Sequence, residues 1–279
     1  MKVRIKFTKR DAMSYIGHLD VMRYFQKVIR RAEIPIAFSS GYSPHMIMSF
    51  ASPLGLGVTS EGEYFDIELT ESISSEDAIT RMNATGASGI EVLSFRQIPS
   101  EKKNSGMTIL AGASYRVTFL CPFGVDLNSK ASCTKEELNK ALDSFLAQPE
   151  INILKETKRS VGMVDIKPLI YELKVRCDFV ERYFAAEDVL IECGEDLTHQ
   201  ELERKASQEE SFAMEMTLAA GSKENLKPNL VMKAFCSFLG KEFDELAYQF
   251  HRLEMYANGG NDEEVKLVSL ESLGEDIVE

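Results

Sequence analysis

Residues 1–98 alternate between two hydrophobic periods, and this alternation restricts the fold more than any other feature of the chain. Apolar and polar residues take turns in 3–8 and again in 64–69, a pattern typical of half-buried strands. Between these segments, spacing of three and four predicts a helix with an apolar face made of Leu19, Met22, Phe25, Ile29 and Ala32. The remaining predicted elements are three strands and a second helix, at 36–38, 46–51, 89–95 and 75–82.

The resulting order, β-α-β-β-(β)-α-β, is typical of a ferredoxin-like sandwich, an α+β fold whose helices cover one face of an antiparallel sheet. Residues 99–114 begin with proline, serine, lysine and glycine and are predicted to be a linker. A similar succession restarts in 115–258, with an insertion near 158–210 and, at its end, a helix at 242–250 and a strand at 252–256. We therefore predict two tandem ferredoxin-like α/β sandwiches with antiparallel sheets.

An acidic tail, residues 259–279, follows the second predicted sandwich. From Asp262 onward it carries seven acidic residues and a single basic one, Lys266. An excess of like charge at a chain end predicts a mobile segment. The apolar residues within 265–270 leave a second interpretation open, in which this part of the tail adds an edge strand to the sheet.

Composition argues against several classes of protein. No apolar run approaches the roughly 20 residues that a membrane helix needs, and the charged, alternating N-terminus differs from a secretory signal. We therefore expect a cytoplasmic protein without a membrane partner. The five cysteines are odd in number and form no C-x-x-C pair, which argues against a disulfide framework and against a zinc or iron–sulfur site. No cofactor and no metal are expected.

Several common enzyme motifs are missing from the sequence. It contains neither a Walker A sequence nor a G-x-S-x-G elbow. Gly55 and Gly57 form only a weak G-x-G pair, which does not open a helix after a strand. Nucleotide hydrolysis, NAD binding and serine-hydrolase chemistry therefore have little support.

Charge is distributed unevenly along the chain. The formal net charge is −12, yet residues 1–60 carry nine basic and only three acidic side chains. Four of the basic residues share one face of the first predicted helix: Arg23, Lys27, Arg30 and Arg31. A basic helix face on an acidic protein is a candidate surface for RNA or another phosphate-bearing ligand. An ordinary solvated helix face explains the pattern equally well, and both interpretations stay open.

Residues 40–45 are a second candidate binding segment, in a tight connection between two short strands. Gly41 and Pro44 suit a rigid turn, because glycine adopts a positive φ and proline fixes the exit of the chain. A turn alone requires neither Tyr42 nor His45. We expect this segment to contact an anion through its backbone N–H groups, with Tyr42 stacking on a base. The residues concerned are Ser40, Gly41, Tyr42, Ser43 and His45.

Histidines and carboxylates in the same part of the chain suggest a catalytic alternative. A histidine would act as general acid or base, a carboxylate would orient it, and the same groups would in principle bind a metal. The candidates are His18, Asp20, His45, Glu63 and Asp66. For His18 and Asp20 a structural role is the stronger interpretation, because the helix dipole favours a carboxylate in the first turn.

An ordered series of motifs runs through the stretch from His18 to Asp66. It contains H-L-D-hydrophobic-x-R, then R-R-A, then P-x-A-x-S-x-G-[FY]-x-P-H, then S-F-A-x-P-L-x-L-G-x-x-S, and last E-Y-x-D. In this combination the stretch resembles a family of bacterial domains found beside, or fused to, radical-SAM proteins. The resemblance covers the first predicted domain, residues 1–98, well and the second half of the chain only in layout.

The resemblance implies an accessory role near a radical-SAM enzyme and, by gene context, a link to RNA or translation. Because the chain lacks the C-x-x-x-C-x-x-C cluster motif, it can be at most the partner of that enzyme. Our first hypothesis is therefore a non-catalytic protein that binds RNA, either tRNA or rRNA, through the basic helix and residues 40–45. The acid–base enzyme is the second hypothesis. A protein–protein adaptor that uses the acidic second half or tail is the third.

Overall fold

The computed structural model describes residues 1–120, 135–156, 161–178, 211–222, 224–260 and 265–278. Its elements are β1 (Lys2–Lys9), α1 (His18–Arg31), β2 (Met48–Phe50), β3 (Thr59–Glu68), α2 (Ser75–Thr85), β4 (Val92–Ile98), α3 (Gly106–Ile109), β5 (Leu110–Phe119), α4 (Lys135–Leu146), β6 (Asn152–Glu156), β7 (Val161–Asp165), β8 (Ile170–Asp178), β9 (Ser211–Ala219), α5 (Pro228–Phe238), β10 (Tyr248–Asn258), β11 (Leu267–Ser269) and β12 (Glu275–Asp276).

Within the described residues, ten strands form one large sheet in a mixed α/β fold with few helices. The order is β12-β4-β1-β3-β10-β5-β9-β8, with β2 paired to β3 and β11 paired to β10. Strands β3 and β10 run parallel, and the other pairs are antiparallel. The predicted combination of helices with antiparallel strands is therefore confirmed. Strands β6 and β7 form a separate hairpin.

Each half of the chain contributes a block of four strands to the large sheet. The first-half order is β4-β1-β3-β2, and the second-half order is β10-β5-β9-β8. When the strands of each half are numbered along the chain, without the β6–β7 hairpin, both blocks have the spatial order 4-1-3-2. The blocks join along β3 and β10 into a single sheet, so the tandem arrangement of two sandwiches is not confirmed and stays a prediction. Of the predicted insertion 158–210, residues 161–178 hold β7 and β8, and the rest lies outside the described residues.

Helix α1 buries Phe25, Ile29 and Ala32 of the predicted apolar face but not Leu19. Its buried residues are Val21, Phe25, Val28 and Ile29, whereas Leu19 is 65% exposed. The buried positions follow the i, i+4, i+7, i+8 spacing of a helix that packs on a sheet, and Leu19 lies outside that stripe. On the inner side Phe25 meets Phe7 of β1, with ring centroids 4.6 Å apart. This packing fixes which residues of α1 face solvent.

The end of the second half also differs from its prediction. A helix was predicted at 242–250, but only Glu245–Ala247 forms a short 3-10 turn, and Tyr248–Asn258 is strand β10. Strand β10 pairs with β5 along most of its length and with β3 near its start. Hydrogen bonding to neighbours on both sides satisfies its backbone groups in a way that local sequence cannot indicate.

The junction between the two halves is a close contact of backbones. At Gly62 of β3 an added Cβ would lie 2.6 Å from the carbonyl oxygen of Leu253, so only glycine permits the approach of β10. Nearby, the Tyr64 hydroxyl donates to Glu254 Oε1 at 2.6 Å. The Thr59 hydroxyl and His251 Nδ1 are 2.7 Å apart. Side chains of β3 and β10 thus hold the two halves together.

The C-terminal segment lies against the sheet, so the prediction of a mobile tail is wrong for residues 265–278. Strand β11 pairs with β10, and β12 pairs with β4. Between them Leu270 is fully buried, and its carbonyl oxygen accepts a hydrogen bond from Arg4 Nη1 at 3.3 Å. The alternative of an added edge strand is the one that the structure supports. Residues 99–114, predicted as a linker, contain α3 and the start of β5.

Candidate functional site

A cleft of about 590 Å³ opens between the two halves of the chain. One wall is the segment from Phe50 to Val58 together with His18, the first residue of α1. The opposite wall comes from β5, β10 and residues 221–229, which lead into α5. Much of the motif stretch recognised in the sequence therefore lines one side of this cleft.

A buried ion pair lies at the inner end of the cleft. Arg252 Nη1 lies 3.0 and 3.2 Å from the two carboxylate oxygens of Glu63, and these residues are 5% and 3% exposed. The guanidinium also donates to the Tyr115 hydroxyl at 3.3 Å and to the Pro53 carbonyl at 3.4 Å. Burial raises the pKa of Glu63, and Arg252, the Ser60 hydroxyl and Lys9 oppose that rise.

Lys9 is a second buried cation near the same carboxylate. Its ammonium group donates to the carbonyl oxygens of Ser14 and Ile16, at 3.2 and 3.0 Å. Burial lowers its pKa, an effect that Glu63 opposes and Arg252 reinforces. These contacts hold the short 3-10 turn that precedes α1, and so they set the position at which the helix begins.

His18, the first residue of α1, is half-buried. Its ring meets the Phe50 ring edge-on, with centroids 5.2 Å apart. Burial and the charge of Lys9 lower the pKa of His18, which favours the neutral imidazole with one donor and one acceptor nitrogen. Besides the cleft, His18 borders a narrow space of about 10 Å³ that Glu63 and Lys9 also reach.

The other predicted catalytic residues lie elsewhere. Asp66 accepts hydrogen bonds from Arg4 at 2.8 and 3.1 Å and from the Gly106 backbone at 2.7 Å, which makes it an anchor for the segment around α3. Asp20 is exposed and pairs with Arg23 at 3.3 Å on the same helix. His45 contacts the Ser39 hydroxyl at 2.8 Å.

Only two of the five candidates therefore share a site, namely His18 and Glu63. The acid–base hypothesis predicted a polar pocket in which a histidine and an orienting carboxylate converge; His18 and Glu63 border one narrow space, and Asp20, His45 and Asp66 do not border it. Among the described residues, no group of three or more histidines, cysteines and carboxylates is placed to hold a metal ion. Cys236 is a free, buried thiol.

The basic residues of α1 all face solvent, and we call this surface the α1 basic face: Arg23, Lys27, Arg30 and Arg31. Arg23 is paired with Asp20. In the described part of the chain, Lys27, Arg30 and Arg31 form no ion pair. Two of them occupy the last turn of the helix, where the helix dipole favours positive charge.

Residues 39–45 form an exposed loop beyond the bridge between Phe38 and Met46. The backbone N–H of Ser39 donates to the His45 carbonyl at 2.8 Å, and the His45 N–H donates to the Ser39 hydroxyl at 3.1 Å. Gly41 has φ = +117°, as the sequence pattern predicted. Tyr42 is fully exposed. Ser40 and Ser43 are also exposed, so the predicted binding side chains of the loop all reach solvent.

Sequence reasoning missed the second-half side of the cleft. Tyr115, Arg252 and Lys227 were not singled out, because each lies far along the chain from the motif stretch. One signal was present: Arg252 stands in a strand between the apolar residues Phe250 and Met255, an uncommon place for an arginine unless it has a buried partner. No helix in the described ranges combines the length and the apolar character needed to cross a membrane.

The sequence model of a protein family described as an uncharacterized protein conserved in bacteria (DUF2344) matches residues 2–228. A search of the curated proteins finds no match.

Proposed function

The chain belongs to this bacterial family (DUF2344), and we propose that it is a non-catalytic accessory protein that binds RNA on the α1 basic face. The observation that carries the proposal is a set of exposed cations on one helix, three of which lack an ion pair among the described residues. Cations without an internal ion pair can neutralise the phosphates of a bound RNA and so release the counterions condensed on it.

The 39–45 loop supports the proposal through its position. Just before the loop, Ile36 bridges to Leu69 at the end of β3. The backbone N–H of Leu69 donates to the carbonyl of Met1, next to the start of β1. The loop therefore extends from the end of the sheet at which β1 begins. Helix α1 also ends there, because it runs back along β1. The exposed ring of Tyr42 therefore lies at the same end of the molecule as Arg30 and Arg31, where it would stack on a base whose phosphates the arginines bind.

The proposed partner is a radical-SAM enzyme, and the proposed RNA is its tRNA or rRNA substrate, met in the cytoplasm. Both rest on the resemblance of the motif stretch. We also infer that the two strand blocks are tandem ferredoxin-like units joined edge to edge, which their common strand order supports. The adaptor hypothesis draws less support, because much of the acidic tail is occupied by contacts with the sheet.

Fluorescence anisotropy with bulk tRNA and a random single strand, at low and physiological salt, tests the proposal. Arg30→Glu combined with Arg31→Glu should weaken binding at least about tenfold, since two phosphate contacts become repulsions. A matched control reverses two exposed lysines on helices of the second half, Lys140→Glu with Lys233→Glu, at equal change of net charge. Equal weakening in both variants, or no binding by the wild type, would overturn the proposal.

A further inference from the structure

We infer that the cleft between the halves is a second binding site, and that it accepts one nucleotide with its base on the apolar wall and its phosphate at Lys227. The site is separate from the α1 basic face and does not depend on RNA binding there. Its volume of about 590 Å³ lies within the range of pockets that enclose small organic ligands.

The inner part of the cleft suits a planar ring. Phe50, Leu54 and Leu110 line it together with Phe250. Behind this wall the guanidinium of Arg252 is paired with Glu63. A flat and weakly polar group such as a base gains by covering this surface, whereas an isolated charge would not be stabilised by a paired guanidinium.

Asn229 and Glu245 contribute oxygen acceptors to the lining of the cleft. Asn229 Oδ1 is buried and finds no hydrogen-bond donor among the described residues, while its Nδ2 donates to Glu245 Oε1 at 3.2 Å. A buried acceptor without a donor costs free energy unless a ligand supplies one. The hydroxyl groups of a ribose are donors of the required kind, and Asn229 and Glu245 both belong to the lining of the cleft.

The mouth carries a cation for the phosphate. Lys227 lines the cleft, is exposed, and forms no ion pair in the described part of the chain. Ser222 and Asn225 line the cleft beside it and offer a hydroxyl and an amide donor. An apolar wall, one unpaired acceptor and a cation thus line the same cleft, and these are the groups that a base, a sugar and a phosphate require. Glu245 would repel a phosphate, which directs the anion toward Lys227.

A free mononucleotide and the terminal nucleotide of an RNA strand present the same chemistry to this site. Isothermal titration calorimetry with AMP, GMP, CMP and UMP, and with a short 5′-phosphorylated RNA, separates the two sources. Lys227→Glu should weaken the binding of the accepted probe at least about tenfold. Lys233→Glu, an equal charge change on the solvent side of the same helix, should change it less than about twofold.

Asn229→Leu provides a second variant, which removes the acceptor without altering charge and should also weaken binding. Arg30→Glu with Arg31→Glu should leave mononucleotide affinity unchanged, so this site and the α1 basic face fail or succeed independently. Loss in Lys227→Glu only for the phosphorylated RNA would identify the strand end as the ligand and support the inference. Absence of any binding that depends on Lys227 would overturn it.

Discussion

The two ends of α1 place charged residues in opposite environments. At the N-terminal end, Lys9, Glu63 and Arg252 are buried, and each contacts a polar partner. At the C-terminal end, Arg30 and Arg31 face solvent without ion pairs in the described chain. Glu63, Arg30 and Arg31 all belong to one motif stretch, so a motif alone does not distinguish charges that hold the fold from charges available to a ligand. Burial and pairing make that distinction.

The energetic consequence is a difference in what each charge contributes. Removing one partner of a buried ion pair leaves the other charge desolvated, which costs several kcal/mol. Removing an exposed charge costs little stability, because water already screens it. Stability should therefore respond to changes at the first end and RNA affinity to changes at the second.

The largest expected effect comes from Glu63→Gln. It leaves Arg252 and Lys9 buried without their carboxylate, and the free energy of unfolding should fall by about 3–5 kcal/mol in urea titrations. Glu61→Gln is the matched control two residues away on the same strand. Glu61 is half exposed and pairs with Arg10 at 3.1 Å, so its loss should cost less than about 1 kcal/mol. Similar losses of unfolding free energy in Glu63→Gln and Glu61→Gln would contradict the difference between buried and exposed charges.

A somewhat smaller effect is expected for Asp66→Asn. Arg4, which is 2% exposed, would lose its carboxylate but keep the carbonyl oxygens of Asn104 and Leu270 as acceptors. We expect a loss of about 2–3 kcal/mol in the same assay. Glu68→Gln is the control, since Glu68 contacts Lys2 only at 3.6 Å and near the surface. A neutral result for Asp66→Asn would return this residue to the catalytic candidates.

Local sequence predicted the elements whose stabilising contacts are near in the chain. Strand β1, helices α1, α2 and α4, and the positive φ of Gly41 follow from periodicity and turn chemistry within a few residues. Both interpretations of the α1 basic face implied that its side chains are exposed, and they are. Periodicity misplaced Leu19, because one helix offers more than one apolar stripe, and contact with the sheet selects between them.

The elements that sequence reasoning missed depend on distant partners. Glu63 stood out as a carboxylate, but its partner Arg252 lies 189 positions away. Leu270 and the tail are held by β4, β10 and Arg4, all remote in sequence. Strand β10 replaces a predicted helix because β5 and β3 flank it. Each error has the same physical origin, a tertiary contact that overrides a local preference.

The smallest expected effect is a dependence of stability on pH, which arises at the junction of β3 and β10. Burial lowers the pKa of His251, with Glu61 opposing and Arg116 and Arg10 reinforcing the shift. As pH falls, His251 is therefore protonated in the unfolded chain at a higher pH than in the folded one. The free energy of unfolding should fall as pH drops below about 6.5 and level off below the pKa of the folded state. His251→Gln should reduce this loss by less than about 1 kcal/mol. An unchanged pH profile in His251→Gln would contradict the assignment.

The most direct test of the account is the salt dependence of tRNA binding, compared between the wild type and Arg30→Gln with Arg31→Gln. A plot of log affinity against log salt concentration reports how many phosphates the protein neutralises. We predict that its slope becomes shallower by about 1.4–1.8 in the variant, as two phosphate contacts are lost, while the free energy of unfolding stays within about 0.5 kcal/mol. Lys140→Gln with Lys233→Gln should keep the wild-type slope. An unchanged slope in the arginine variant would contradict the claim that the α1 basic face binds RNA.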